Sequence, residues 1–172
     1  EVKLTNILQE VLSELNVPKP EDAYKFDQAK AQNSGHGKYY KYTWTNNQGN
    51  EMEATVMAIK HSKDPGKTFT IAFGPHNKED FFGDEESEED MDKRYATKTG
   101  AGDLIKVLAT VVEAVKQTAK KEGGLNKVYK MEWAPSDAKR KNIYDHYVQT
   151  LFPSFKKDPS SRYWQSYINK KL

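Results

Sequence analysis

Residues 95–122 read YATKTGAGDLIKVLATVVEAVKQTAKKE, and no other stretch limits the fold as strongly. Leu104, Ile105, Val107, Leu108, Val111, Val112 and Val115 recur at helical spacing and form one wide apolar face. Asp103 falls in the first turn and Lys120 and Lys121 in the last, each complementing the helix dipole. Gly123 and Gly124 then end the helix, so it is expected over 103–122. A helix with so broad an apolar face needs a sheet to lie on. Just ahead of it, 94–97 reads as the end of a strand and 97–102 as a tight, glycine-containing turn. Strand, turn and helix in this order predict a crossover to a parallel strand. The turn is also the candidate ligand site. Small residues let backbone N–H groups approach an anion, and the helix N-terminus adds partial positive charge. The residues concerned are Thr97, Lys98, Thr99, Gly100, Ala101, Gly102 and Asp103.

The remaining elements follow from the same periodicities. In 39–45 (YYKYTWT), Tyr40, Tyr42 and Trp44 alternate with polar residues. In 52–60, Met52, Ala54, Val56 and Ala58 share a face, and in 67–73 so do Phe69, Ile71 and Phe73. Turns rich in Asn, Gly and Pro at 46–50 and 61–66 separate the three runs, which predicts an antiparallel meander. A fifth strand is expected at 127–133, with Tyr129, Met131 and Trp133 on its buried face. Ser136 or Asp137 caps a helix to about 151 that aligns Ile143, Tyr144, Tyr147 and Leu151. Residues 162–168 make a last strand. At the start of the chain, 4–15 places Leu4, Ile7, Leu8, Val11, Leu12 and Leu15 on one helical face, and Pro18 and Pro20 stop it. The segment 21–38 shows no periodicity, and 33–37 (NSGHG) reads as a loop. The fold class expected is therefore α+β (mixed α/β), a single domain over 1–172. It comprises an amphipathic helix within 1–20, an acidic mobile loop at 79–92 and a basic aromatic segment at 152–172.

Composition narrows the chemistry. There is no cysteine, so disulfides, thiolate metal sites and cysteine nucleophiles are excluded. A net charge of +2 gives no global case for nucleic acid. The basic aromatic segment (Lys156, Lys157, Arg162, Tyr163, Trp164, Lys170, Lys171) suits stacking and phosphate contact locally, but the acidic run opposes it. That run, DEESEED at 84–90, lacks the alternating ligand spacing and glycine of a calcium loop, so no metal ligands are assigned. Phe81 and Phe82, flanked by Glu85, Glu86, Glu88 and Glu89, are candidates for docking a protein partner. No apolar run reaches membrane-spanning length, and none has the form of a signal peptide. His36, His61, His76 and His146 lie in no nucleophile-elbow context, and His76 follows Gly-Pro in an expected loop. Glu53, mid-strand on the face opposite Met52 and Ala54, and His61, just past the strand's end, are the two candidates for relaying a proton through water.

The element order over 39–168 resembles the GNAT-type N-acetyltransferases. In that superfamily a meander leads into a turn patterned Arg/Gln-x-x-Gly-x-Gly/Ala, which binds the coenzyme A pyrophosphate. A helix, a strand and a second helix carrying Asn-x-x-Ala-x-x-Leu-Tyr follow. Gly100 and Gly102 match the small positions of the turn, and Thr97 stands where Arg or Gln is expected. Asp137, Arg140, Ile143 and Tyr144 occupy the second pattern, where only the apolar residue and the tyrosine agree in kind. The resemblance implies a single GNAT-like domain with a mostly antiparallel twisted sheet, acetyl-CoA in the 97–102 turn, and Tyr144 as general acid to the departing thiolate. The runs 95–115 and SDAKRKNIYDHYVQ also resemble uncharacterised proteins of tailed bacteriophages. That implies a place in the host cytoplasm or the virion and a phage or host protein as partner. The incomplete motifs favour a degenerate GNAT-like module that binds or builds without catalysis, such as a virion component or an inhibitor of a host system. Such a module needs no cofactor. The alternative is an acyl-CoA-dependent N-acyltransferase.

Overall fold

Alternating apolar residues build most of the sheet, and main-chain pairing alone builds its margins. The computed structural model describes residues 20–76, 101–133, 138–161 and 165–172, with backbone alone at 101–105 and 138–144. In chain order the strands and helices are β1 (Asp27–Gln28), β2 (Gln32–Ser34), β3 (Gly37–Thr45), β4 (Glu51–Lys60), β5 (Lys67–Pro75), α1 (Ala101–Lys121), β6 (Val128–Trp133), α2 (Ala138–Leu151), β7 (Phe155–Lys157) and β8 (Gln165–Asn169). Short 3-10 turns lie at Pro20–Asp22 and Leu125–Lys127. The architecture is mixed α+β with a mostly antiparallel eight-stranded sheet, ordered β1-β3-β4-β5-β6-β8-β7, and β2 also pairs with β3. Among the described strands only β5 and β6 run parallel, and α1 lies in the connection between them.

The meander forms as its alternation requires. Tyr40, Tyr42, Trp44, Met52, Ala54, Val56, Ala58, Phe69 and Ile71 are all buried on one face. Directly paired residues share a face. Val56 therefore lies between Tyr40 and Ile71, and Ala58 beside Phe69. Onto this face α1 packs Val107, Leu108, Val111, Val112, Ala114 and Val115. Each fully buried Val or Leu there contributes about 1.5–3 kcal/mol. Two threonines interrupt the apolar helix face without leaving buried hydroxyls unpaired. Thr110 donates to Lys106 O (2.7 Å) and accepts from Tyr24 N–H (2.8 Å). Thr118 donates to Ala114 O (2.9 Å) and meets the Tyr42 hydroxyl at 2.7 Å. The second helix lies on the same face, where Tyr167 donates to Asp145 of α2 and Lys157 pairs with the same carboxylate at 2.6 Å.

The far end of α1 is fastened to the sheet by one carboxylate. Tyr40 donates to Glu122 Oε1, and Lys67 Nζ lies 2.5 Å from Oε2 and 3.2 Å from the Glu122 carbonyl. Burial pushes the Glu122 carboxyl up, but the bonds from Lys67 and Tyr40 outweigh it and hold it below its usual value. The Tyr40 hydroxyl is pushed up, first by burial and then by the carboxylate it bonds. Past this point Gly123 and Gly124 adopt φ of 101° and 107°, the left-handed region that stops a helix.

Several boundaries differ from the sequence reading. Segment 27–34 is not all loop: β1 and β2 pair with β3, and only Gly35 and His36 form the turn between Ser34 and Gly37. Within the basic aromatic segment, for which no strand is expected before 162, Phe155–Lys157 form edge strand β7. Helix α1 begins at Ala101, so Ala101 and Gly102 belong to its first turn. In β6 the expected alternation fails at Tyr129. Lys67 pairs with Val128 and Thr68 with Lys130, leaving Tyr129 as an extra residue. Val128, Met131 and Trp133 are consequently buried while Tyr129 is half-buried. Gly66 enters β5 against this bulge, and a β-carbon on it would stand 2.6 Å from Lys127 O. The strand expected at 94–97 lies outside the described residues, and β5 and β6 pair directly with nothing between them. The 4–15 helix and the 79–92 loop, with Phe81, Phe82, Glu85, Glu86, Glu88 and Glu89, also lie outside the described residues.

Candidate functional site

The parallel pair ends unevenly. β5 pairs with β6 from Lys67 to Ile71, the last couple being Ile71 with Trp133. β6 is described as far as Trp133, while β5 continues to Pro75 against β4 alone among the described strands. In an open sheet the carboxyl ends of parallel strands, where connections diverge, are the favoured place for a ligand. The two helices start after these same ends, α1 at Ala101 and α2 at Ala138.

Beside this end lies a cluster of ionisable side chains. Thr43, Glu53 and Gly74 form one row across β3, β4 and β5. The row points to the sheet face opposite the helices, because Tyr42 and Ala54 point toward them. Glu53 Oε2 lies 2.6 Å from His76 Nδ1 and 3.3 Å from Lys41 Nζ. The Glu53 side chain is 13% exposed and that of His76 21%, so both are shielded and still reachable. His76 N–H donates to Glu51 O at 2.9 Å, which extends the hairpin one step beyond Pro75 and fixes the ring's origin. An open depression of ≈ 480 Å³ borders the cluster, lined by Tyr24, Lys25, Asp27, Thr43, Glu51 and His76 among others. Tyr39 lies on the same face. Burial pushes its hydroxyl up to about 12; Thr55 opposes and the Glu53 charge reinforces the shift, so it stays a neutral phenol near neutral pH.

Of the residues singled out from the sequence, the structure sets Glu53 in this cluster. His61 is not part of it. It lies eight residues on, roughly 25 Å along the strand at about 3.3 Å per residue. There its carbonyl accepts from Lys60 Nζ at 3.1 Å. Ala101, Gly102 and Asp103 open α1, with their side chains outside the described residues, as are Thr97, Lys98, Thr99 and Gly100 altogether. Tyr144 lies on α2, again with backbone alone. In the basic segment Lys156, Lys157 and Lys170 are exposed, and Lys157 is paired with Asp145. Among the described residues no three His, Asp or Glu side chains converge on a metal position. No described helix is long and apolar enough to cross a membrane.

His76 is the residue that sequence reasoning missed. Apolar alternation ends the third strand at Phe73 and so places His76 in a loop, whereas β5 runs on to Pro75. The signal was present in the hairpin. The 61–66 turn pairs Lys60 with Lys67, and counting outward puts residue 76 opposite Glu51. No family of known proteins, no curated protein and no solved structure matches this chain.

Proposed function

We propose that this chain is an acyl-coenzyme A-dependent N-acyltransferase of GNAT type with a modified pyrophosphate turn. The observation that carries the reading is the β5–β6 parallel pair, the one such pair among the described strands, with α1 in its connection and β5 running on past Ile71. β5 runs on past the last described couple with β6, and a strand edge of that kind suits the amides of an extended cofactor arm, which would add to it as an extra strand does. Ala101 and Gly102 open α1, and the N–H groups of a first helical turn lack acceptors within the helix. Such groups suit a diphosphate. When bound, the cofactor supplies an activated thioester. The chain's part is to orient an amine against it and to move protons, with Tyr144 as the proposed donor to the departing sulfur.

Calorimetric titration with acetyl-CoA tests the reading. Binding in the micromolar range that disappears in Gly100→Glu supports it, and no heat at millimolar ligand ends it. Turnover unchanged in Tyr144→Phe removes Tyr144 from the acid role.

Thr97, in place of Arg or Gln, favours a second reading: a degenerate GNAT-like module of a tailed phage, binding a phage or host protein without catalysis. Capture of one defined host or virion protein that depends on residues 79–92, by a chain that binds no acetyl-CoA, supports this second reading.

A further inference from the structure

We infer that His76 is the base that takes the proton from the acceptor amine, and that Glu53 is the positioning residue that holds its ring for this. The inference rests on the acyltransferase reading. A carboxylate offers only acceptor positions, so the 2.6 Å contact between Glu53 Oε2 and His76 Nδ1 requires the hydrogen to be on Nδ1. In the neutral ring the lone pair is then on Nε2. Among the described residues nothing engages Nε2, and His76 forms part of the wall of the ≈ 480 Å³ depression. The ring is held at two points, by Glu53 through Nδ1 and by the main-chain bond to Glu51 O. Lys41 grips the same Glu53 oxygen from the β3 side and keeps the carboxylate turned toward His76.

Position agrees with the role. The pair sits at the carboxyl end of β5, past its last described couple with β6, and on the face away from α1 and α2. An amine entering through the depression would then reach His76 beside the carboxyl end of β5, next to where the cofactor is proposed to lie. The charged groups around the ring are Glu53, Lys41 and Glu51, with Lys25 and Asp27 across the depression. An alkylamine reaches the site as its ammonium. His76 Nε2 takes one proton, the freed lone pair forms the N–C bond to the thioester carbonyl, and the C–S bond breaks. The second proton lost by nitrogen ends on sulfur, and the imidazolium returns its proton to water.

The test uses the full chain with acetyl-CoA and butylamine. His76→Ala is expected to bind acetyl-CoA as the wild type does and to lose about 100-fold or more in aminolysis rate. Added imidazole, which fits the vacated space, is expected to restore part of that rate. In Glu53→Gln, kcat is expected to fall with KM for acetyl-CoA unchanged. Nitrogen NMR of the wild type is expected to show His76 as the Nδ1–H tautomer. Acetyl-CoA binding with aminolysis unaffected in His76→Ala overturns this assignment alone. So does a loss that imidazole does not rescue, or an Nε2–H tautomer. Absence of acetyl-CoA binding by the wild type overturns the acyltransferase reading and this assignment with it.

Discussion

The two ends of the β4–β5 hairpin each hold a carboxylate beside a lysine, and they use it differently. At the 60–67 end, Glu122 has both oxygens engaged, Oε1 by Tyr40 and Oε2 by Lys67, and its side chain is 8% exposed. At the 53–76 end, Glu53 puts a single oxygen between His76 and Lys41, and the second imidazole nitrogen meets none of the described residues. The first arrangement is closed: every strong group has its partner, and the product is a fixed helix end. The second leaves a ring nitrogen with no partner among the described residues beside a depression. Residue type and burial are similar, so what separates a fastening from a candidate site is whether the hydrogen-bond chain terminates.

The largest effect is expected at the closed end. Glu122→Ala strands the Tyr40 hydroxyl and Lys67, and should cost about 2–3 kcal/mol in urea unfolding. A loss below about 0.5 kcal/mol would show the cluster to be ornamental and dissolve the contrast. Lys67→Met keeps the stem but removes the ammonium from Glu122 and its carbonyl. About 1–2 kcal/mol is expected, less than for Glu122→Ala because the Lys67 side chain is 31% exposed and partly screened. At the open end Glu53→Gln should change stability by less than about 1 kcal/mol while slowing any acyl transfer. A stability loss as large as that of Glu122→Ala would make both ends fastenings.

pH sharpens the same contrast. Glu122 is held below its usual 4.5, so its contribution is present above that value and is lost as pH falls through the lower folded value. The stability gap between wild type and Glu122→Gln should therefore close in acid. Tyr39 runs the other way. Its hydroxyl is raised from 10.0 to about 12, so its contribution holds below pH 10 and declines between about 10 and 12. Tyr39→Phe should unfold with a shallower alkaline slope, the smallest of these effects.

Much of the frame could be read from side-chain order. Tyr40, Tyr42 and Trp44 announce β3, and Val107 to Val115 announce the buried face of α1, because burial is what these residues contribute. The margins could not. Asp27–Gln28 and Gln32–Ser34 are held by main-chain bonds that any residue can make, so their side chains carry no trace of the pairing. The extra residue at Tyr129 is set by the parallel register with β5, which no local pattern encodes. Glu53 was visible as an acid on a strand, but its partner lies 23 residues away and emerges only once the hairpin is counted across. The turn residues Gly100 and Thr97 and the side chain of Tyr144 fall outside the described residues, so the candidate acid and the anion cradle rest on the sequence alone.

The tie between Lys67 and Glu122 has a consequence for chain length. It closes a loop of 55 residues that includes the whole 77–100 segment. Closure entropy grows only with the logarithm of loop length, by about 0.6 kcal/mol per doubling. Insertion or removal of a dozen residues within 77–100 should therefore shift folding free energy by well under 1 kcal/mol, as long as both ends of the loop stay fastened.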